Sequence, residues 1–186
     1  MTKCPMEQKK LNLGCGEDIK EGFVNLDFMK AKGVNVIHDL NKTPYPFKDE
    51  EFEEIHAFHV LEHLDGDWFK IIKELSRILK KEGIILIKVP HFTSPIAFME
   101  NHRRFFRYRS FESFDDQKNM RALDQKNNYK FEIAERKIIF TKKIFIYNYF
   151  IEWFVNLNKN SALLYENTFL RSLFPAEQIF FKLKKI

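Results

Sequence analysis

The chain has 186 residues, 31 Lys+Arg against 26 Asp+Glu for a formal charge of +5, and 45% hydrophobic with 31% charged residues. That balance is globular, and it excludes disordered, collagen-like, coiled-coil and low-complexity chains. At about 150 residues per domain the length predicts one domain over 1–186, able to bury its own core. The opening MTKCPMEQKK has no apolar stretch and predicts no secretory signal. Residues 10–13 read as a short strand running into Gly14-Cys15-Gly16, 23–26 as a second ending at Asp27, and 34–37 as a third ending at His38-Asp39. Pro44 and Pro46 mark 41–52 as loop, and 55–60 is a fourth strand. From Trp68 to Leu79 apolar residues recur every three or four positions, which predicts an amphipathic helix. Asp65 or Asp67 would cap its start and Gly83 would stop it. The apolar run 84–89, closed by Pro90, predicts a central parallel strand. Beyond it, 91–109 reads as basic loop, 110–117 as a short helix, 131–140 as a strand, 142–173 as an aromatic helical segment broken by Pro175, and 178–183 as a last strand. Strands and helices in this order predict an α/β fold with a mostly parallel sheet.

The charge is mild. Its clusters, Arg103, Arg104, Arg107 and Arg109, then Lys184 and Lys185, permit contact with nucleic acid or an acidic substrate without requiring it. Two cysteines, Cys4 and Cys15, make no disulfide framework, which predicts a reducing, cytoplasmic setting. The longest apolar stretch, 144–155, is interrupted by Asn148 and Glu152 and falls short of the ~20 residues of a membrane span.

The chemistry gathers at strand ends. Three successive strands end in a glycine turn or an acid: Gly14-Cys15-Gly16, Asp27 and Asp39. Open α/β sheets bind ligands beyond the carboxyl ends of their strands. Glycines there let backbone approach a ligand closely, and a carboxylate can accept both hydrogen bonds of a ribose diol. The segments LNLGCG, GFVNLD, IHDL, FEEIHAFHVLEHL and KELSRILKKEGIILIKVPHF, in this order, resemble the class I S-adenosylmethionine-dependent methyltransferases, in particular a small type-11-like subgroup. The resemblance implies a Rossmann-like methyltransferase fold, a mostly parallel sheet with helices on both faces and an antiparallel last strand. It implies S-adenosylmethionine as cofactor and S-adenosylhomocysteine as product. By the same resemblance Gly14 and Gly16, with Asn12 and Cys15 beside them, would line the methionine part. Asp27 would hold the ribose, Asp39 and Leu40 would lie beside adenine, and Phe58 and His59 would border the cofactor.

Two departures from the family pattern stand out. Asn12 occupies a position where the family commonly has an acid. Only six residues separate Gly16 from Phe23, so the usual first helix cannot fit and a loop over 17–22 must replace it. Asp27 then arrives about nine residues earlier than the usual ~20 after such a turn.

His59-Val60-Leu61-Glu62-His63 also spells the H-x-x-E-H zinc pattern, with His56 upstream. The stretch straddles a strand end, where residues four apart have no shared helical face, so no metal is expected. For the acceptor side, His102 and then His91 are the candidate bases, and Arg103, Arg104 and Phe105 the candidate substrate contacts. A small-molecule or glycan-type acceptor is the leading expectation. RNA or protein methylation, or cofactor binding without turnover, are the alternatives. The aromatic segment 144–174 would be a buried or dimer-packing element, or else a substrate lid or peripheral membrane contact. Of the 21 phenylalanines, Phe23, Phe47, Phe52, Phe58 and Phe69 suit an ordinary core, while the excess crowds this segment and the loop past the fifth strand, which predicts an aromatic-walled substrate cover.

Overall fold

The computed structural model describes residues 9–115, 130–142 and 145–186, so Cys4, Lys143, Ile144 and the end of the helix expected at 110–117 lie outside the described residues. Seven strands form one sheet: β1 (Lys10–Leu13), β2 (Phe23–Asp27), β3 (Val36–Ile37), β4 (Phe52–Phe58), β5 (Leu79–Pro90), β6 (Phe131–Ile139) and β7 (Gln178–Lys185). Their order is β3-β2-β1-β4-β5-β7-β6. The first five pair in parallel, while β7 runs antiparallel to both β5 and β6. This is the Rossmann-like arrangement expected, and strand order reverses between β1 and β4.

Register sorts the side chains into two faces. Leu11, Ile55, Ile85 and Leu183 stand side by side across four strands, as do Leu13, Ala57, Ile87 and Phe181. All eight are buried. The alternate residues, among them His56, Leu86 and Lys182, make a half-buried and more polar face. The apolar run 84–89 is therefore an alternating strand, with Ile85, Ile87 and Val89 carrying the core.

Helix α1 (Trp68–Ile78) covers the apolar face with Ile71, Ile72, Leu75 and Ile78. Asp67 caps it, accepting from the Phe69 and Lys70 N–H groups at 3.0 and 3.3 Å. The stop expected at Gly83 is not used. The chain turns extended at Leu79, which is fully buried and paired with Phe52, so strand burial ends the helix four residues before the glycine.

The helical reading of 142–173 holds as three short helices, α2 (Asn148–Val155), α3 (Lys159–Asn167) and α4 (Leu170–Leu173). Tyr165 of α3 is fully buried and donates its hydroxyl to the Phe174 carbonyl at 2.8 Å. At 110–115 the chain makes only a single 3-10 turn, Glu112–Phe114. The phenylalanine expectation needs correcting here. Phe106, Phe111 and Phe114 are buried around Trp68, and Phe111 packs on Phe181 with ring centroids 4.8 Å apart. They build core under α1 rather than a substrate wall.

Candidate functional site

A cleft of about 620 Å³ opens at the carboxyl ends of the parallel strands. Its size falls within the ~300–1,000 Å³ usual for small-ligand sites. Gly14, Gly16 and Asp27 line one side, Asp39, Leu40 and Asn41 the next, and His59, His63, Asn101 and Arg103 the far side.

The glycine turn is short because nine residues, 14–22, join β1 to β2 without a helix. Gly14 has φ +61°, and a Cβ there would lie 2.3 Å from Val60 Cγ2, so only glycine lets this turn pack on the end of β4. Gly16 has φ +50° and nothing within 4 Å of where its Cβ would stand. Cys15, between them, is turned inward. Burial, and then the nearby Asp27 charge, push its thiol above the ordinary value, which makes it a poor nucleophile.

Asp27 is held by two main-chain donors, Gly16 N–H to Oδ2 at 2.8 Å and Met29 N–H to Oδ1 at 3.0 Å. Each carboxylate oxygen keeps a further lone pair. The carboxylate is thereby fixed at the cleft wall as a paired acceptor. Asp39 is turned on its own loop by the Asn41 N–H at 3.1 Å, which with Lys42 outweighs burial and holds its carboxyl below the usual range. Asn41 Oδ1 in turn accepts the Asp65 and Gly66 N–H groups, both at 3.0 Å, tying this wall to the entry of α1.

On the far side His59 sits at φ +54°, an uncommon conformation for a residue with a side chain. Its Nδ1 lies 3.4 Å from Oε1 of the buried Glu62, which belongs to the 3-10 turn Leu61–His63. The Glu62 carbonyl accepts the Arg103 and Arg104 N–H groups at 2.7 and 3.2 Å. That brings the loop past β5 across to the end of β4.

Several expected residues stand elsewhere. Asn12 does not line the cleft. Its amide donates to the Asp18 carbonyl and Asn25 Oδ1 at 2.7 and 2.9 Å, and its Oδ1 accepts from Lys20 at 2.9 Å. Where the resemblance leads to an acid, this chain has an amide that anchors the shortened turn. Phe58 lies under Lys20 and Lys88, with the Nζ atoms 4.6 and 5.0 Å from its ring, on the half-buried sheet face. His91 is fully buried and joins Thr93 at 2.8 Å to Glu166 of α3 at 3.0 Å, a framework contact. Arg104 lies over Trp68 and donates to the Gly66 carbonyl, and burial pushes its guanidinium below the ordinary value. Phe105 is exposed and packs on Phe98. His102 stands behind the cleft wall, its ring 4.6 Å from that of His63.

Sequence reasoning missed Phe28, Asn41 and Asp65 as lining residues, and saw His63 in the H-x-x-E-H spacing without placing it on the cleft. Asn41 had a local signal, directly following Asp39-Leu40. Asn101 and His63 meet only through the fold.

A methyltransferase-domain family matches residues 4–132 of the chain. No curated protein matches it. Among solved structures, an S-adenosylmethionine-dependent methyltransferase from Archaeoglobus fulgidus is 20% identical with a TM-score of 0.57, the alignment covering 96% of this chain and 86% of that one. A putative methyltransferase from Bacillus halodurans is 14% identical at a TM-score of 0.56, with 96% and 92% covered. A Haloferax volcanii complex between the Trm112 methyltransferase activator and a putative methyltransferase gives 14% identity, a TM-score of 0.53 and coverage of 98% and 85%.

Proposed function

The chain belongs to the methyltransferase-domain family, as a class I methyltransferase, and on that premise we propose that it transfers a methyl group from S-adenosylmethionine to a small-molecule or glycan-type acceptor. The observation that carries the reading is Asp27, held by the Gly16 and Met29 N–H groups so that both oxygens stay available at a glycine-lined cleft. S-adenosylmethionine supplies, when bound, a sulfonium methyl that is already electrophilic. The residues of this chain then have to hold the cofactor, exclude water and align the acceptor. Gly16 leaves room for the methionine part on a turn that Gly14 lets pack against Val60, Asp27 accepts from the ribose hydroxyls, and Asp39, Leu40 and Asn41 form the adenine wall. His59 is the base we assign for a hydroxyl acceptor, because it lines the cleft with the buried Glu62 carboxylate behind its Nδ1. Arg103, on the same side, is the acceptor's charged contact. His102 supports this wall, and His91 holds the loop that carries it.

Two of the four clustered arginines are committed within the chain, which weighs against a nucleic-acid acceptor. Arg104 is committed to Trp68 and Arg109 to Glu112 at 2.7 Å. The reading also includes peripheral contact with a membrane through α2–α4, supported by the aromatic side chains these helices leave exposed.

Calorimetric titration with S-adenosylhomocysteine tests the proposal. The expected result is binding at one site per chain, weakened by about 10-fold or more in Asp27→Ala, as loss of hydrogen bonds to a charged acceptor requires. Absence of binding by the unaltered chain would refute it.

A further inference from the structure

The turn Leu61–His63 and the loop facing it hold a group of donors of which the proposed methyl transfer uses only Glu62 Oε1. Glu62, His63 and His102 each offer a ligand atom within 4.8 Å of those of the other two. Glu62 is only 1% exposed, and while its Oε1 faces His59, its Oε2 has no hydrogen-bond partner. His102 Nδ1 is likewise buried without one. A carboxylate oxygen taken out of water and left unpaired is costly, and native structures rarely keep one without a reason. The neighbouring arginines do not supply it. Arg103 and Arg104 reach Glu62 through their main-chain N–H groups, bound to its carbonyl, and the Arg104 side chain goes to Trp68 and Gly66.

We propose that Glu62, His63 and His102 bind a divalent cation of the zinc type. Two imidazoles and one carboxylate suit a borderline ion such as Zn²⁺, whereas Mg²⁺ and Ca²⁺ prefer all-oxygen sets. His63 Nδ1 lies 3.4 Å from the Asn101 carbonyl, an outer hydrogen bond that sets the ring and leaves Nε2 as the ligand. The bonds from the Arg103 and Arg104 N–H groups to the Glu62 carbonyl hold the two ligand-bearing segments together. The ligand set is not the H-x-x-E-H pairing of the sequence. His59 stays outside as partner of Glu62 Oε1, and His102, which the local pattern could not include, takes its place, so the expectation of no metal is revised. Three protein donors leave coordination positions for water or an acceptor oxygen. His63 lines the cleft, so the ion would stand on the acceptor's side.

The untagged full chain, stripped with a chelator, is titrated with ZnCl₂ in the absence of cofactor. One zinc per chain is expected at micromolar affinity or tighter, with MgCl₂ unable to compete. Glu62→Gln and His102→Ala should each weaken zinc by about 100-fold or more, beyond what loss of an outer hydrogen bond costs. His38→Ala, in a ring that bonds to the Lys42 carbonyl and packs on Tyr45 away from the three donors, should bind as the unaltered chain does. Circular dichroism checks that the variants fold. If buried Glu62 proves essential for folding, His102→Ala, on a half-buried loop residue, decides alone. Less than one equivalent bound, or His102→Ala binding as tightly as the unaltered chain, would overturn the site. Zinc is measured without S-adenosylmethionine, so this failure is separate from failure of the cofactor titration.

Discussion

Gly14 and Gly16 stand two residues apart in the same turn, yet their substitutions should fail differently. At Gly14 a methyl group meets two costs, a left-handed backbone and a Cβ 2.3 Å from Val60 Cγ2. The first is about 1–2 kcal/mol and the second, as overpacking, about 1–3 kcal/mol. Denaturant unfolding of Gly14→Ala should therefore show a loss of about 2–5 kcal/mol. Adding Val60→Ala should return only the steric share, because the backbone cost stays. Gly16→Ala carries the backbone cost alone, since its Cβ would enter open space. That space is the cleft, so Gly16→Ala should weaken S-adenosylhomocysteine binding more than it lowers stability. Equal losses of binding in the two variants, after correction for the fraction folded, would mean that Gly16 does not face the cofactor. Glycine spacing, read locally, marks both residues alike. Only the packing of β4 against the turn separates a steric glycine from one that leaves room for a ligand.

Two carboxylates do for the elements what the glycines do for the turn. Glu74 of α1 accepts the Tyr45 N–H and Arg77 Nη2, both at 2.8 Å, so it pins the 41–52 loop to the helix. Glu152 of α2 accepts the Phe140 N–H at 3.1 Å and Lys142 Nζ at 2.8 Å, pinning the added helices to the end of β6. Burial raises each carboxyl, but Arg77 with the Tyr45 N–H, and Lys142 with the Phe140 N–H, outweigh it and hold both below the ordinary value. A carboxyl depressed in the folded state contributes stability that is present above its unfolded pKa, about 4.3, and is lost as pH falls through the folded value. Thermal melting should therefore weaken as pH drops from about 5 toward 3. Glu74→Gln and Glu152→Gln should melt earlier at neutral pH and lose less on acidification; an acid response as steep as the parent's would exclude these carboxylates as its source. Neither pin was legible in the sequence, since both join residues by the fold. What was legible follows a period. The strands, the core face of α1 and the acids that end β2 and β3 follow from repeats of two or of three to four and from turn residues. The helical character of 142–173 was legible, but hydrophobicity on every side carries no period, so nothing local marks Asn156 and Thr168 as the residues that divide it into three helices. His102 was picked as a loop histidine near the acceptor, but its neighbours Glu62 and His63 lie some forty residues back, beyond any local pattern.

At the scale of the molecule the aromatic excess resolves into two populations. One is core, around Trp68 and Phe111. The other lies along the added helical segment 146–173, where Ile146, Tyr149, Phe150, Trp153, Phe169 and Leu173 are each at least 58% exposed. Soluble surfaces scatter single apolar residues but seldom set this many on one short segment. No described helix is long and apolar enough to cross a bilayer, so a lipid partner would be met in the plane of its surface. Trp153 and Tyr149 are the residue types that settle at headgroup depth, with an apolar ring and a polar edge. The net charge of +5 adds attraction to an anionic leaflet. Co-sedimentation with phosphatidylcholine vesicles containing phosphatidylserine should show binding that falls with salt and with removal of the anionic lipid. Phe150→Asp combined with Trp153→Asp should abolish it without lowering S-adenosylhomocysteine affinity, because neither residue lines the cleft. A concentration-dependent dimer in solution, dispersed by the same two substitutions, together with no vesicle binding, would instead assign these helices to a second copy of the chain. The two outcomes are exclusive at this surface, since a patch covered in a dimer offers its aromatic rings to no bilayer.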